Sequence, residues 1–262
     1  MVSLTDACTP RRTGDRYQFE VLPGWLQGRG AFGGLVIGGL IRAIEHHTGD
    51  PARKLRSLTA ELPGPALTGT TEITVEPLRQ GKNLSAVRAA RVQDGEVKSH
   101  AVAILAATRT TGPAASWNDL SPPVLPHWND IAPIPAGAGP QFTQHFEYRV
   151  VEGLPGAGGA PRSLGWVRPR DPGALRDAAY VAAMADAWWP AALVTLAGRP
   201  MATIAYTLEI LGSVDDLDPL APLVYRAVVP VCAEGYFVET RELWSEAGRL
   251  IARNHQTFAI IQ

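Results

Sequence analysis

Apolar and polar residues alternate along most of this chain, and the alternation gives way to a helical period in two places. Tyr17 to Leu22 has the texture of a short strand and enters a turn at Pro23-Gly24. The next stretch, GRGAFGGLVIGGLIRAIEHH from Gly28 to His47, is glycine-rich at first and spaced like a helix afterwards. Five glycines between Gly30 and Gly39 are expensive in a helix, at about 1 kcal/mol each relative to Ala, so something must pack very close to that backbone. After Asp50-Pro51 the segments RKLRSLTAEL, GTTEITVEPLRQ, KNLSAVRAARVQD and EVKSHAVAILAATR predict an antiparallel meander of four strands. Asp94-Gly95 is the best hairpin signal among the turns between them.

Thr110 to Pro140 is rich in proline and alanine and predicts a linker packed across the surface through Trp117 and Trp128. Beyond it the plan repeats. Phe142–Val151 and Leu164–Arg168 read as strands, the stretch from Leu175 to Leu196 as a helix, and MATIAYTLEIL, PLVYRAVVPVC, GYFVETRELWS and GRLIARNHQTFAII as four more strands. Strand, helix and four strands, occurring twice, indicate an internal duplication with domains at 1–109 and 141–262 and a linker at 110–140. The fold class is α+β, with one long helix laid against a curled antiparallel sheet in each half.

Composition narrows the partners. A chain of 262 residues can hold one large domain or two with separate cores. With 24 basic against 25 acidic residues, nothing favours nucleic acid or an anionic membrane surface. Cys8 and Cys232 are too few and too far apart for a disulfide framework or a metal cluster and read as free thiols. No signal-peptide core and no spanning apolar run is visible, so the expected compartment is the cytoplasm.

The chemistry concentrates on one residue. From Ala178 to Leu196 the positions are small or apolar apart from Tyr180, Thr195 and the single acid Asp186. At helical spacing Asp186 shares a face with Ala179, Ala182, Ala183 and Trp189, the face expected to turn inward. An acid there must be hydrogen-bonded, paired or kept for chemistry.

Other motifs weaken on inspection. Gly28-x-Gly30-x-x-Gly33 with Asp50 downstream matches the dinucleotide fingerprint, but that fingerprint works inside a βαβ unit, and here the helix is followed by a meander with no crossover helices. Glycines for close packing are preferred, and no cofactor is implied. No G-x-S-x-G or H-E-x-x-H occurs, and His46 and His47 read as surface histidines. His255 and Gln256 are neighbours in the last strand, so only one of them can face a site.

Taken together, FGGLVIGG (Phe32 to Gly39), LRQGKNLSAVRAARVQDGE (Leu78 to Glu96), the acid in YVAAMADAWW, MATI (Met201 to Ile204) and GRLIARNHQ (Gly248 to Gln256) resemble, in order and spacing, the acyl-CoA thioesterase II family of double hot-dog proteins. The resemblance runs from about Tyr17 to Ile261. It implies two tandem hot-dog folds joined edge to edge, an acyl-CoA substrate and association into homo-oligomers.

In that family a helical Asp, a Thr in the next strand and a Gln in the last strand hold the water that attacks the thioester. The resemblance places these roles on Asp186, Thr203 and Gln256, with Gly33, Gly34, Trp189 and Tyr206 as substrate contacts; Arg29, Arg168 and Arg170 are candidates for the CoA phosphates, against the preferred reading of solvated surface arginines. A partly desolvated Asp suits a general base, and the Thr hydroxyl and Gln amide suit the positioning of a water. The first half has no acid between Ala31 and Ile44 and is expected to supply the partner sheet and tunnel walls. The chain departs from the family at Ala205-Tyr206, where Asp-His is common, and at Thr257-Phe258, where an acid follows the Gln. Those departures motivate an alternative, a hot-dog protein that binds acyl-CoA or an acyl chain without turning it over.

Overall fold

The glycine-rich run forms one of two helices about which the molecule is built. The computed structural model describes residues 2–109, 117–218 and 220–261. In the first half, α1 (Leu4–Ala7) and the short strands β1 (Arg11–Thr13), β2 (Arg16–Val21), β3 (Leu26–Gln27) and β4 (Gly30–Ala31) lead into α2 (Gly33–Thr48). The meander of β5 (Lys54–Glu61), β6 (Gly69–Gln80), β7 (Leu84–Gln93) and β8 (Glu96–Ala106) follows. In the second half, β9 (Phe146–Glu152) and β10 (Arg162–Pro169) precede α3 (Ala178–Asp186) and a second meander, β11 (Met201–Ile210), β12 (Leu223–Ala233), β13 (Tyr236–Trp244) and β14 (Leu250–Ile260).

The second helix is shorter than its composition suggested. It ends at Asp186, and after Pro190 the chain makes a 3-10 turn at Ala191–Val194 in place of the continuous helix expected to Leu196. Proline lacks an N–H and clashes with the preceding turn, so the apolar run is divided there.

Both meanders belong to one 12-stranded sheet in the order β1-β2-β6-β7-β8-β5-β11-β14-β13-β12-β10-β9. The seam is the antiparallel pair β5 and β11, with Glu61 opposite Ala205 and Ser57 opposite Glu209. Joining the halves edge to edge removes two strand edges from solvent. Asp94 and Gly95 take φ of 54° and 79°, the left-handed pair of a tight hairpin between β7 and β8. Glu234-Gly235 does the same between β12 and β13, with φ of 53° and 82°.

The glycines of α2 face the second helix as well as the sheet. A Cβ on Gly34 would meet the Ala183 Cα at 2.8 Å, and one on Gly38 would lie 3.4 Å from the Ala179 carbonyl oxygen. On the sheet side, a Cβ on Gly39 would collide with Phe19 at 2.5 Å. These contacts set α2 and α3 antiparallel, so the first turn of α2 lies beside the last turn of α3. The C-terminal end of α2 correspondingly meets the start of α3, where Arg42 pairs with the α3 cap Asp177.

Residues 110–116 of the linker lie outside the described residues. Of its two tryptophans, Trp128 is buried beside Trp166, Val224 and Trp244 and sits under the guanidinium groups of Arg149 and Arg168, whereas Trp117 is 78% exposed. Of the two, Trp128 is the one that is packed, together with Leu120, Leu125 and Ile131.

Candidate active site

The antiparallel helix pair brings a carboxylate to a helix start. Asp186 is the last residue of α3, and its Oδ2 lies where a side chain on Gly33 would begin, 2.6 Å from an ideal Cβ. Any residue but glycine at position 33 would displace it. The N-cap of α2, Phe32, has no side-chain oxygen to offer, so the Asp186 carboxylate occupies the electropositive end of α2 and faces the Gly34 N–H.

On its other oxygen Asp186 is held by two side chains from the second meander. Gln256 Nε2 on β14 donates to Oδ1 at 2.8 Å and Arg241 Nη1 on β13 donates to the same atom at 3.0 Å. The Gln256 amide is itself fixed: its Nε2 also donates to Asn254 Oδ1 at 3.0 Å, and its Oε1 accepts from Thr203 Oγ1 at 3.0 Å. Thr203, Gln256 and Asp186 thus form one hydrogen-bonded chain across three elements. The register of β11 against β14 shifts between Thr203 and Ala205, a bulge at Ile204 that sets which way the Thr203 hydroxyl points. Gln256 is buried and turned to Asp186, while His255 faces away with its Nδ1 beside Thr240 Oγ1.

Arg241 and Glu239 were not found from the sequence. Both are buried, Glu239 at 0% and Arg241 at 1% exposure. Arg241 donates through Nε to Glu239 Oε1 at 2.6 Å and through Nη1 to the Ala185 carbonyl oxygen at 3.0 Å. Glu239 Oε2 accepts the Ala191 N–H at 2.7 Å. One guanidinium therefore serves two buried carboxylates, leaving a formal net charge of −1 in the cluster. The signal was present: in a strand, Phe237, Glu239, Arg241 and Leu243 share a face, and that face carries the core residues Phe237 and Leu243.

Burial pushes the Asp186 carboxyl above the ordinary aspartate range, and it outweighs the opposing pull of Arg241 and of the Gln256 and Gly34 donors. Burial likewise raises Glu239. For Arg241 burial works against the charge, but Tyr225, Glu239 and Asp186 together hold it protonated. The site therefore contains an oriented carboxylate with raised proton affinity, the chemistry of a general base.

The remaining positions singled out by the resemblance lie around this cluster in different states. Gly33 and Gly34 are at Asp186 itself. Tyr206 is buried with its hydroxyl donating to the Ala182 carbonyl oxygen at 3.1 Å, and Trp189 donates to the Gly153 carbonyl oxygen at 2.9 Å while packing on Trp188 and Tyr148. Arg168 is tied to Glu147 and Arg170 to the Phe146 carbonyl oxygen, whereas Arg29 is exposed in the turn between β3 and β4 that leads to Gly33. Among the described residues no group of three His, Cys, Asp or Glu side chains could hold a metal ion, and no helix is long and apolar enough to cross a membrane.

The chain can now be set beside known proteins. The family model described as acyl-CoA thioesterase N-terminal domain matches residues 22–110, and the one described as acyl-CoA thioesterase C-terminal domain matches residues 121–260. A hot dog fold protein of unknown function from Alicyclobacillus acidocaldarius superposes with a TM-score of 0.89 at 23% identity, covering 100% of this chain and 99% of that one. A tesB protein of Mycobacterium avium subspecies paratuberculosis gives 0.81 at 18% identity, with 99% and 98% covered. The acyl-CoA thioesterase II TesB2 of Mycobacterium marinum gives 0.78 at 21% identity, also with 99% and 98% covered. No curated protein matches the chain. The solved structures carry the fold, two hot-dog units in tandem, and the two family models together span most of the length. The chain accordingly belongs to the acyl-CoA thioesterase family of thioester hydrolases.

Proposed function

We propose that the chain hydrolyses an acyl-CoA thioester, fatty or otherwise, to the free acid and CoA at Asp186. The observation that carries this is the hydrogen-bonded chain Thr203, Gln256, Asp186, which leaves a carboxylate of raised proton affinity at the mouth of α2. Asp186 takes a proton from water as the water oxygen bonds to the thioester carbonyl carbon. Thr203, whose hydroxyl proton is committed to Gln256, keeps its lone pairs for that water. The oxyanion is met by the Gly33 backbone N–H at the opening of α2, since the Gly34 N–H faces Asp186. Collapse of the intermediate breaks the C–S bond, and the proton held by Asp186 goes to the departing thiolate. Gly33 and Gly34 admit the thioester because they have no side chain, Trp189 and Tyr206 line the acyl side, and Arg29 is the arginine free to meet a phosphate. In this scheme residues 141–262 form the catalytic domain, 1–109 the domain that contributes the helix start, and 110–140 the linker.

A second reading, binding of acyl-CoA without turnover, is favoured by one observation: Asp186 is only 8% exposed and already has Arg241 as an ionic partner. One experiment separates the two. Thiol release is followed from acetyl-CoA to palmitoyl-CoA for the wild type and for Asp186→Asn, which is nearly isosteric and leaves Arg241 balanced by Glu239. Hydrolysis requires a loss of about 10²- to 10⁴-fold in kcat for the variant with folding intact. A wild type that binds acyl-CoA saturably and releases no thiol establishes the binder.

A further inference from the structure

A cavity lies at the other end of the helix pair. It has a volume of about 430 Å³ and lies where the C-terminal end of α2 meets the start of α3 and the seam strands β5 and β11. Its volume falls in the range of small-molecule sites. One wall is apolar, formed by Leu55, Ile210 and Val214.

Most charged groups around this cavity are already matched. Asp50 is paired with Arg53, Asp215 with Lys54, and Asp177 with Arg42. Two groups of opposite sign are left over. The Glu45 carboxylate, half-buried in the last turns of α2, has no hydrogen bond and no ion pair among the described residues, and among them Arg56 donates only to the Ala106 carbonyl oxygen and Thr108 Oγ1, each at 3.3 Å, without any carboxylate. A guanidinium has five donors, so Arg56 retains at least three. Arg56 is also the bulged residue of β5, where the register against β8 shifts between Leu55 and Ser57, and bulges commonly re-aim a side chain beside a site.

We propose that this cavity binds a small zwitterion with an apolar body, of which an α-amino acid is the simplest form, placing its ammonium on Glu45 and its carboxylate on Arg56. A simple cation would leave Arg56 unmatched, and a simple anion would be set beside Glu45. Burial, and after it the nearby Asp177 carboxylate, push Glu45 up to about 7 against the pull of Arg42 and Lys54, which are themselves matched to Asp177 and Asp215. The ligand's body then covers Leu55, Ile210 and Val214, in the usual pattern of an apolar pocket with a few convergent polar groups.

The test reads binding, so it is independent of turnover at Asp186. Titration calorimetry and thermal melting are run on the whole chain with L-phenylalanine and L-leucine, and with phenethylamine and 3-phenylpropionate as probes carrying one charge each. Binding of either amino acid is expected, at least about tenfold tighter than either single-charge probe, because two charge-assisted contacts are replaced by one. Glu45→Gln and Arg56→Gln should each weaken amino-acid binding by about tenfold or more. The proposal is overturned if neither amino acid binds the wild type, if phenethylamine or phenylpropionate binds as well as phenylalanine, or if both variants bind undiminished. The probe comparison uses wild-type protein alone and stands even if a variant folds poorly.

Discussion

Arg241 and Arg91 occupy matching places in the two halves and meet opposite fates. Each lies in the third strand of its meander, opposite a polar residue of the fourth: Asn254 for Arg241 and Ser99 for Arg91. Each donates to a carbonyl of its own helix, Ala185 for one and Val36 for the other, and each guanidinium lies against an aromatic ring. The surroundings then diverge. Where the second half has Glu239 and Gln256, the corresponding strand positions of the first half are Ala89 and Ala101, and no acid of α2 reaches Arg91. Arg91 is left at 0% exposure with Nε and Nη1 unpartnered, beside an equally unpartnered Ser99 hydroxyl. Burial pulls its pKa down to about 9, whereas Arg241 is stabilised in its charged form. The same strand and helix scaffold thus supports a buried arginine in both halves, and what distinguishes the one at the candidate site is the pair of acids it holds. An arginine without them is a cost the fold tolerates.

The largest effect that follows from this contrast is on stability. Arg241→Met strands two buried carboxylates with no cation, and urea denaturation should show a loss of about 3–5 kcal/mol. Next comes the far end of the hydrogen-bonded chain. Thr203→Val removes one donor at a half-buried position and should lower kcat/KM for acyl-CoA hydrolysis by about tenfold with the melting temperature nearly unchanged; unaltered kinetics would remove Thr203 from the mechanism. Arg91→Met, in contrast to the Arg241 variant, replaces an under-satisfied guanidinium with an apolar chain of similar length. It should cost nothing and can add up to about 1 kcal/mol. If it destabilises as much as Arg241→Met, Arg91 has an ionic partner and the contrast between the halves collapses.

The effect that depends on pH concerns Glu45, which faces Asp177, Arg42, Lys54 and Asp215. Its folded pKa of about 7 lies above the unfolded value, so the folded state binds the extra proton. The resulting stabilisation is complete below about pH 4.3 and is lost as pH rises toward 7. Urea melts of wild type and Glu45→Gln at pH 5 and pH 8 check this. The wild type should weaken, relative to the variant, as pH rises, and parallel profiles would show that Glu45 titrates normally.

Local rules carried the repeated plan, the Asp94-Gly95 hairpin, the close approach at the α2 glycines and the oddity of Asp186, because each is set by backbone conformation or by periodicity within a few residues. Thr203 and Gln256 were singled out beside it only by the resemblance to the thioesterase II family. Glu239 and Arg241 escaped notice because charged residues in an alternating strand normally face water, and only the closure of the sheet around the helices turns their side inward. The length of α3 was misjudged because the apolar run was read as continuous across Pro190, a residue that the sequence shows and that ends a helix. The sequence by itself therefore determined the elements, the duplication and the one acid that had to be accounted for. The tertiary structure alone decided that the acid caps the other half's helix and shares its arginine with Glu239, since both depend on groups brought together from distant strands, and the energy of a buried charge is set by those neighbours.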